Sequence, residues 1–247
     1  MKKFCTLLMV AAMTIAGSQL FAQTNVYLHL SGAIPTGDFA DGDENDWGLS
    51  TDDTEGGAGF GFNAGFKFNI ATGVNGLRAM ITFDGIYNGL NSDLRDYYED
   101  LIENGEDNYK EFSLTTPKHV NIPVMGGVNY TYDFSPKFGI FAQAGLGPDL
   151  HIVTKMERYT ESSTTKTTRT VEYDPQISLA YQLGAGVEIN KRITIGIDYY
   201  NLGKAKVKGK TSYKTKYTNG GTESDSDKFS LKRIAPTMVM LRVGIRL

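Results

Sequence analysis

Eight segments in which apolar and polar residues alternate predict an all-β fold, an eight-stranded antiparallel up-and-down transmembrane β-barrel. Two further observations carry the prediction. The connections alternate between tight turns and long polar stretches, and the polar parity of the segments holds scattered charges of both signs. Composition agrees, with 28 Gly, 14 Tyr and 13 Phe in 247 residues against 7 Pro. The single cysteine, Cys5, leaves no disulfide framework and no paired-cysteine metal site. A net charge of -3 gives no basic face for a nucleic acid.

The chain begins with Met1-Lys2-Lys3, an apolar run from Phe4 to Ala16, and a helix break before Ala22. A short positive region, a run of roughly 13 apolar residues and a small residue at the cut site form a cleavable export signal. The run is too short to span a bilayer, which needs about 20 residues. Residues 1–22 are therefore expected to leave as a signal peptide, and residues 23–247 to form the barrel domain.

The expected strands then follow in order. Asn25–Pro35 is the first, and the second carries Phe60, Phe62, Phe66 and Phe68 against Gly61, Asn63, Gly65 and Lys67. Gly76–Leu90 is the third. In the fourth, Val120 to Phe134 alternates with His119, Asn121, Met125 and Asn129, and Lys137–Lys155 is the fifth. The sixth, Gln176–Asn190, sets Ile177, Leu179, Tyr181 and Leu183 against Ser178, Ala180, Gln182 and Gly184. The seventh alternates Ile193, Ile195, Ile197 and Tyr199 with Thr194, Gly196, Asp198 and Tyr200. The eighth puts Val239, Leu241, Val243, Ile245 and Leu247 on one face and Arg242 and Arg246 on the other. Pro123 and Pro148 interrupt two ladders and suggest a bulge or kink.

Short connections fall at Ala71–Asn75, Ser135–Pro136 and Asn190–Arg192; long ones at Thr36–Gly57, Asn91–Pro117, Met156–Pro175 and Lys204–Lys232. The polar parity includes Lys67, Arg78, Asp84, Glu188, Asp198, Arg242 and Arg246. Unlike charges of that number belong in a narrow polar lumen where they pair, with the aliphatic face against lipid. A soluble lipocalin-like barrel, the alternative at this strand count, would have to bury them in an oily core. Phe66, Phe68, Tyr130, Tyr132, Phe134 and Phe138 cluster beside the short turns as an interfacial girdle does.

The order of signal peptide, eight strands and a last strand at the end of the chain resembles the small outer-membrane barrels of the outer membrane protein A and X type. His119-Val120-Asn121-Ile122-Pro123-Val124-Met125 is similar to that group's fourth strand, and Phe141-Ala142-Gln143-Ala144-Gly145-Leu146-Gly147-Pro148 to its Gly-rich fifth. One departure stands out, because the group's assembly signal usually ends in an aromatic residue and this chain ends Arg246-Leu247. The resemblance implies the outer membrane of a Gram-negative bacterium, insertion by the outer-membrane assembly machinery, and contact with outer-membrane lipid and lipopolysaccharide. No nucleic-acid partner and no cofactor are expected, and the chain is expected to be a monomer.

Site chemistry is thin. His119 and His151 are expected near one another on the lumen face, with Asn121 and Asp149 beside them. Two imidazoles and a carboxylate suit a divalent metal or acid–base work, but also a hydrogen-bonded plug. The plug is the reading adopted for His119, Asp149 and His151. Asp41-Gly42-Asp43-Glu44-Asn45 opens like a calcium loop, but Asp46 replaces the turn glycine and Asp52 the long closing Glu. A solvated acidic loop is expected there. No catalytic motif of the GxSxG, HExxH or GxxxxGK[ST] kind occurs. No enzyme is expected, and no catalytic, cofactor or metal residue is assigned.

Charge is segregated among the long connections. Loop one has eight acidic residues and no basic one, loop two eight acidic against Arg95 and Lys110, and loop four eight lysines against Glu223, Asp225 and Asp227. Strand eight closing on strand one sets loop four beside loop one, so these blocks are expected to attract, the lysines otherwise meeting lipopolysaccharide phosphates. Leu94, Tyr97, Tyr98 and Leu101 suggest a short helix in loop two. An eight-stranded barrel is just wide enough for side chains to fill it. The expected role is structural or surface-interacting, through four long loops. A narrow porin-like solute path is the first alternative and a barrel-embedded hydrolase or acyltransferase the second.

Overall fold

The computed structural model describes residues 24–41, 58–90, 96 and 110–247. The signal peptide, the calcium-like stretch from residue 42 onward, most of loop one and the helix expected at Leu94–Leu101 lie outside the described residues. In chain order the elements are β1 (Thr24–Thr36), the single turn α1 (Asp38–Asp41), β2 (Ala58–Ala71), β3 (Leu77–Leu90), β4 (Glu111–Thr115), β5 (His119–Asp133), β6 (Phe138–Val153), β7 (Met156–Glu161), β8 (Thr165–Tyr173), β9 (Gln176–Ile189), β10 (Ile193–Asn201), β11 (Ala205–Tyr217), β12 (Thr222–Ile234) and β13 (Thr237–Arg246).

Eight of these close an antiparallel barrel in the order β1-β13-β10-β9-β6-β5-β3-β2. They are the eight strands that the alternation marks. Closure is made by β1 on β13, from Tyr27↔Arg246 to Thr36↔Thr237. The expected parity holds: Leu241, Val243 and Ile245 are exposed on the outside while Met240, Arg242 and Gly244 turn inward and are buried. Tyr130, Tyr132, Phe134 and Phe138 are exposed beside the short turns, and Phe60, Phe62 and Tyr181 form a second aromatic belt at the opposite end.

The turn Asn190-Lys191 puts two non-glycine residues at φ 51° and 55°, closed by the Arg192 amide donating to the Ile189 carbonyl at 3.0 Å. Two successive left-handed residues match the twist of a two-residue hairpin, and Asn tolerates the first of them. Pro123 causes no bulge. The β3–β5 register is the same on both sides of it, Phe83↔Val124 and Ile86↔Asn121, with no pairing between. The missing proline N–H costs rungs, not register.

The long connections depart from expectation. Loops two, three and four contain five strands that form a second sheet, in the order β12-β11-β8-β7-β4. The basic loop four is the hairpin β11–β12, and it pairs with loop three, from Gly209↔Tyr173 to Tyr217↔Thr165. Backbone hydrogen bonds thus join it to β8, and the expected electrostatic contact with loop one falls on acidic residues that lie outside the described residues from residue 42 onward. The inward face of this sheet carries Met156, Val171 and Val207, which join Phe39, Ile86, Met125, Tyr200, Leu202, Met238 and Met240 in one apolar cluster over the barrel mouth.

Candidate functional site

Alternation sends one side chain in two from every strand into a barrel just wide enough for side chains to fill. At mid-height the inward residues form a polar network. Arg242 on β13 is 2% exposed and lies 3.1 Å (Nε) from Asp198 Oδ2 on β10 and 4.0 Å (Nη2) from Asp84 Oδ1 on β3. Its Nη2 also donates to the Tyr200 hydroxyl at 2.5 Å, which donates in turn to Asp84 Oδ2 at 3.1 Å. Asn63 donates to Asp84 Oδ1 at 2.9 Å, and His29 Nε2 lies 2.6 Å from the same oxygen. On the other side, Gln143 donates to Asp198 Oδ1 at 2.5 Å and accepts from Lys67 Nζ at 3.2 Å. The Lys67 ammonium sits over the rings of Tyr27 and Phe141, at 5.1 and 4.8 Å. Each charge of this network therefore has partners, which a low-dielectric interior demands.

Two glycines make room for this network. A Cβ at Gly184 would overlap Asp198 Oδ1, and one at Gly65 would meet Asp84 Oδ1 and His29 Nε2. Arg78 and Glu188, also expected inside, sit lower and half-buried, Glu188 accepting from the Tyr27 hydroxyl at 3.0 Å. Arg246 is exposed.

The expected histidine pair forms at the mouth end of β5 and β6. His119 Nδ1 and His151 Nε2 are 3.2 Å apart, and Asn121 stands opposite His151 in the ladder. Phe39 from α1 meets the His119 ring edge-on at 5.2 Å and covers it. Asp149 is buried on the same face and points its carboxylate toward the Ile122 backbone, neither oxygen reaching hydrogen-bonding geometry. The structure thus brings His119, Asn121, Asp149 and His151 to one face over three successive inward rungs, yet no group of three acidic, histidine or cysteine side chains among the described residues is arranged to hold a metal ion.

Above the mouth, the polar sheet divides its charges by face. Register puts Glu223, Asp225 and Asp227 on the inward side with Thr211, Tyr213 and Thr215, and Lys208, Lys210, Lys214, Lys216 and Lys228 on the outward side. On β7 and β8, Lys166 at 2.7 Å and the Tyr159 hydroxyl at 2.6 Å both bond Glu161, holding its carboxylate below the usual range. Sequence reasoning places Asp84, Asp198, Arg242 and Lys67 in the lumen but misses His29, Asn63, Gln143 and Tyr200 as their partners. Parity is the available signal, since each lies on the inward face of its strand.

A family profile described as "Outer membrane protein beta-barrel domain" matches residues 4–231. Among solved structures, a major outer membrane protein from Thermus thermophilus aligns at 12% identity and TM-score 0.44, covering 91% of this chain and 99% of that one. OprG from Pseudomonas aeruginosa gives 11% and 0.44, over 91% and 96%. Ail, the attachment invasion locus protein of Yersinia pestis, gives 12% and 0.37, over 91% and 97%. No protein of curated function matches the chain.

Proposed function

Given that the chain belongs to the outer membrane protein β-barrel domain family and lies in the outer membrane of a Gram-negative bacterium, we propose that it acts there as a closed barrel whose extracellular sheet is the working surface. In this reading residues 1–22 are the export signal and residues 23–247 the working domain. The observation that carries it is the near-complete burial of the lumen side chains. Lys67, Asp84, Gln143, Asp198 and Arg242 would be wet in an open channel, and instead they are buried and bonded to one another. The layer of Met125, Met238, Met240 and Tyr200 above them adds an apolar seal. A lumen so occupied offers no substrate a place beside its carboxylates, so the reading includes no reaction.

Among the described residues, what remains available to partners is the sheet β12-β11-β8-β7-β4, in contact with the lipopolysaccharide around it and with whatever approaches from outside. Recordings in planar bilayers test the closed lumen. The protein should give no stable conductance above that of the bare bilayer. Reproducible open levels in wild-type protein would overturn the reading in favour of a solute path.

A further inference from the structure

Outward side chains of β12, β11 and β8 stand in three rows set by the ladder: Lys228, Lys210 and Glu172; then Ser226, Ser212 and Thr170; then Ser224, Lys214 and Thr168. The middle row holds only short hydroxyl side chains, and long ammonium side chains border it. The result is a cup of about 570 Å³, floored by hydroxyls and walled by Lys210 and Lys214, with Lys228 outside the lining but opposite Lys210 in the ladder. Lys210 and Lys228 face each other directly across the ladder, a like-charge pairing that weakens a bare sheet. Neither they nor Lys214 makes an ion pair among the described residues, whereas Lys166 on the same sheet and Lys155 just before β7 each hold a glutamate. Glu172 is the one carboxylate in these rows, and Asp225 and Tyr213, whose side chains belong to the opposite face, also border the cup.

From this cup we infer a binding site for a phosphorylated saccharide, the phosphate-bearing core sugar of the surrounding lipopolysaccharide. Ammonium groups bond phosphate oxygens strongly, and hydroxyls on the floor suit both phosphate and sugar hydroxyls. Orientation and height decide among phosphates. The opposite face of the sheet packs Val207, Val171 and Met156 into the apolar cluster, so the cup faces the same way as the lipid-facing wall. Lys210 pairs with Glu172, four residues beyond Gln176, where β9 leaves the barrel ladder. At ~3.3 Å per residue and a tilt of ~40°, it stands roughly 10 Å above the barrel rim on that side. That is beyond the headgroup layer, about 5–8 Å deep, and in the sugar layer.

The inference rests on the sheet being the working surface, and the test separates the two. Barrel embedded in zwitterionic nanodiscs is titrated calorimetrically with phosphorylated core oligosaccharide and with the same oligosaccharide after phosphatase treatment. Wild-type protein should prefer the phosphorylated form by about tenfold, the scale of a few exposed charge contacts. K210Q/K214Q/K228Q should lose that preference. K166Q/K208Q/K216Q, with the same charge removed from the same sheet, should keep it, and K210R/K214R/K228R should restore it. Equal loss in both glutamine triples would overturn the cup while leaving the sheet as a lipopolysaccharide contact. Failure of wild-type protein to bind either oligosaccharide would remove the cup, and the sheet would then need another partner. Folding of each variant is checked independently by its heat-modifiable gel mobility.

Discussion

Replacing Arg242 by Gln is the sharpest test of the lumen. The guanidinium is 2% exposed and lies between Asp198 at 3.1 Å and Asp84 at 4.0 Å. Without it, Asp84 still receives Asn63 and the Tyr200 hydroxyl and keeps His29 beside it, whereas Asp198 keeps Gln143. The variant therefore strands a buried carboxylate, Asp198 above all. Breaking a buried pair by removing one partner costs about 3–5 kcal/mol. Sequence alone predicts a smaller effect for this substitution unless it leaves an acid buried, and the structure shows that it does. Adding D198N removes the orphaned charge and leaves an amide that can still accept from Gln143, so the double variant should recover about 2 kcal/mol of the loss, within the usual range for coupled contacts. Urea titrations of folding in lipid vesicles, read by tryptophan emission and gel mobility, measure all three proteins. A loss below about 1 kcal/mol for R242Q, or a double variant no better than the single, would refute the network as described.

Leu241, next in sequence but 54% exposed on the outer wall, should behave oppositely. Leu241→Arg should cost about 2–4 kcal/mol in the same titrations if it lies near the bilayer midplane, and a neutral result would place that face away from lipid. Gly184→Ala should also destabilise the barrel, because its Cβ overlaps Asp198 Oδ1; an unchanged midpoint would show that the carboxylate moves freely. The β11–β12 hairpin is held by a backbone ladder to β8, so limited proteolysis there should be slow at both low and high salt, with cutting confined to the tip around Thr218–Gly221. Salt-induced nicking along the whole of Lys204–Lys232 would restore the purely electrostatic account of that loop.

Strand number, which parity meets lipid, and which ends carry turns were all legible in the sequence. A dyad pattern is local, and a strand half in lipid and half in a polar lumen writes it at full contrast, as Val239 to Leu247 shows. The charges of the lumen were legible for the same reason, and so was the meeting of His119 and His151, because a short turn fixes the register of β5 on β6. Partners across the lumen were not legible. Asp84 and Asp198 lie on strands far apart in the chain, and only closure of a narrow barrel brings both to Arg242. The second sheet was hidden for the opposite reason. Its strands are polar on both faces near the tip, so Lys208–Lys216 and Thr165–Thr170 give no apolar alternation. Backbone ladders between loops decided that pairing, and a ladder uses N–H and C=O groups that every residue but proline shares. Sequence therefore determined the wall and its two faces, while tertiary structure decided which inward charges meet and how the polar loops join above them.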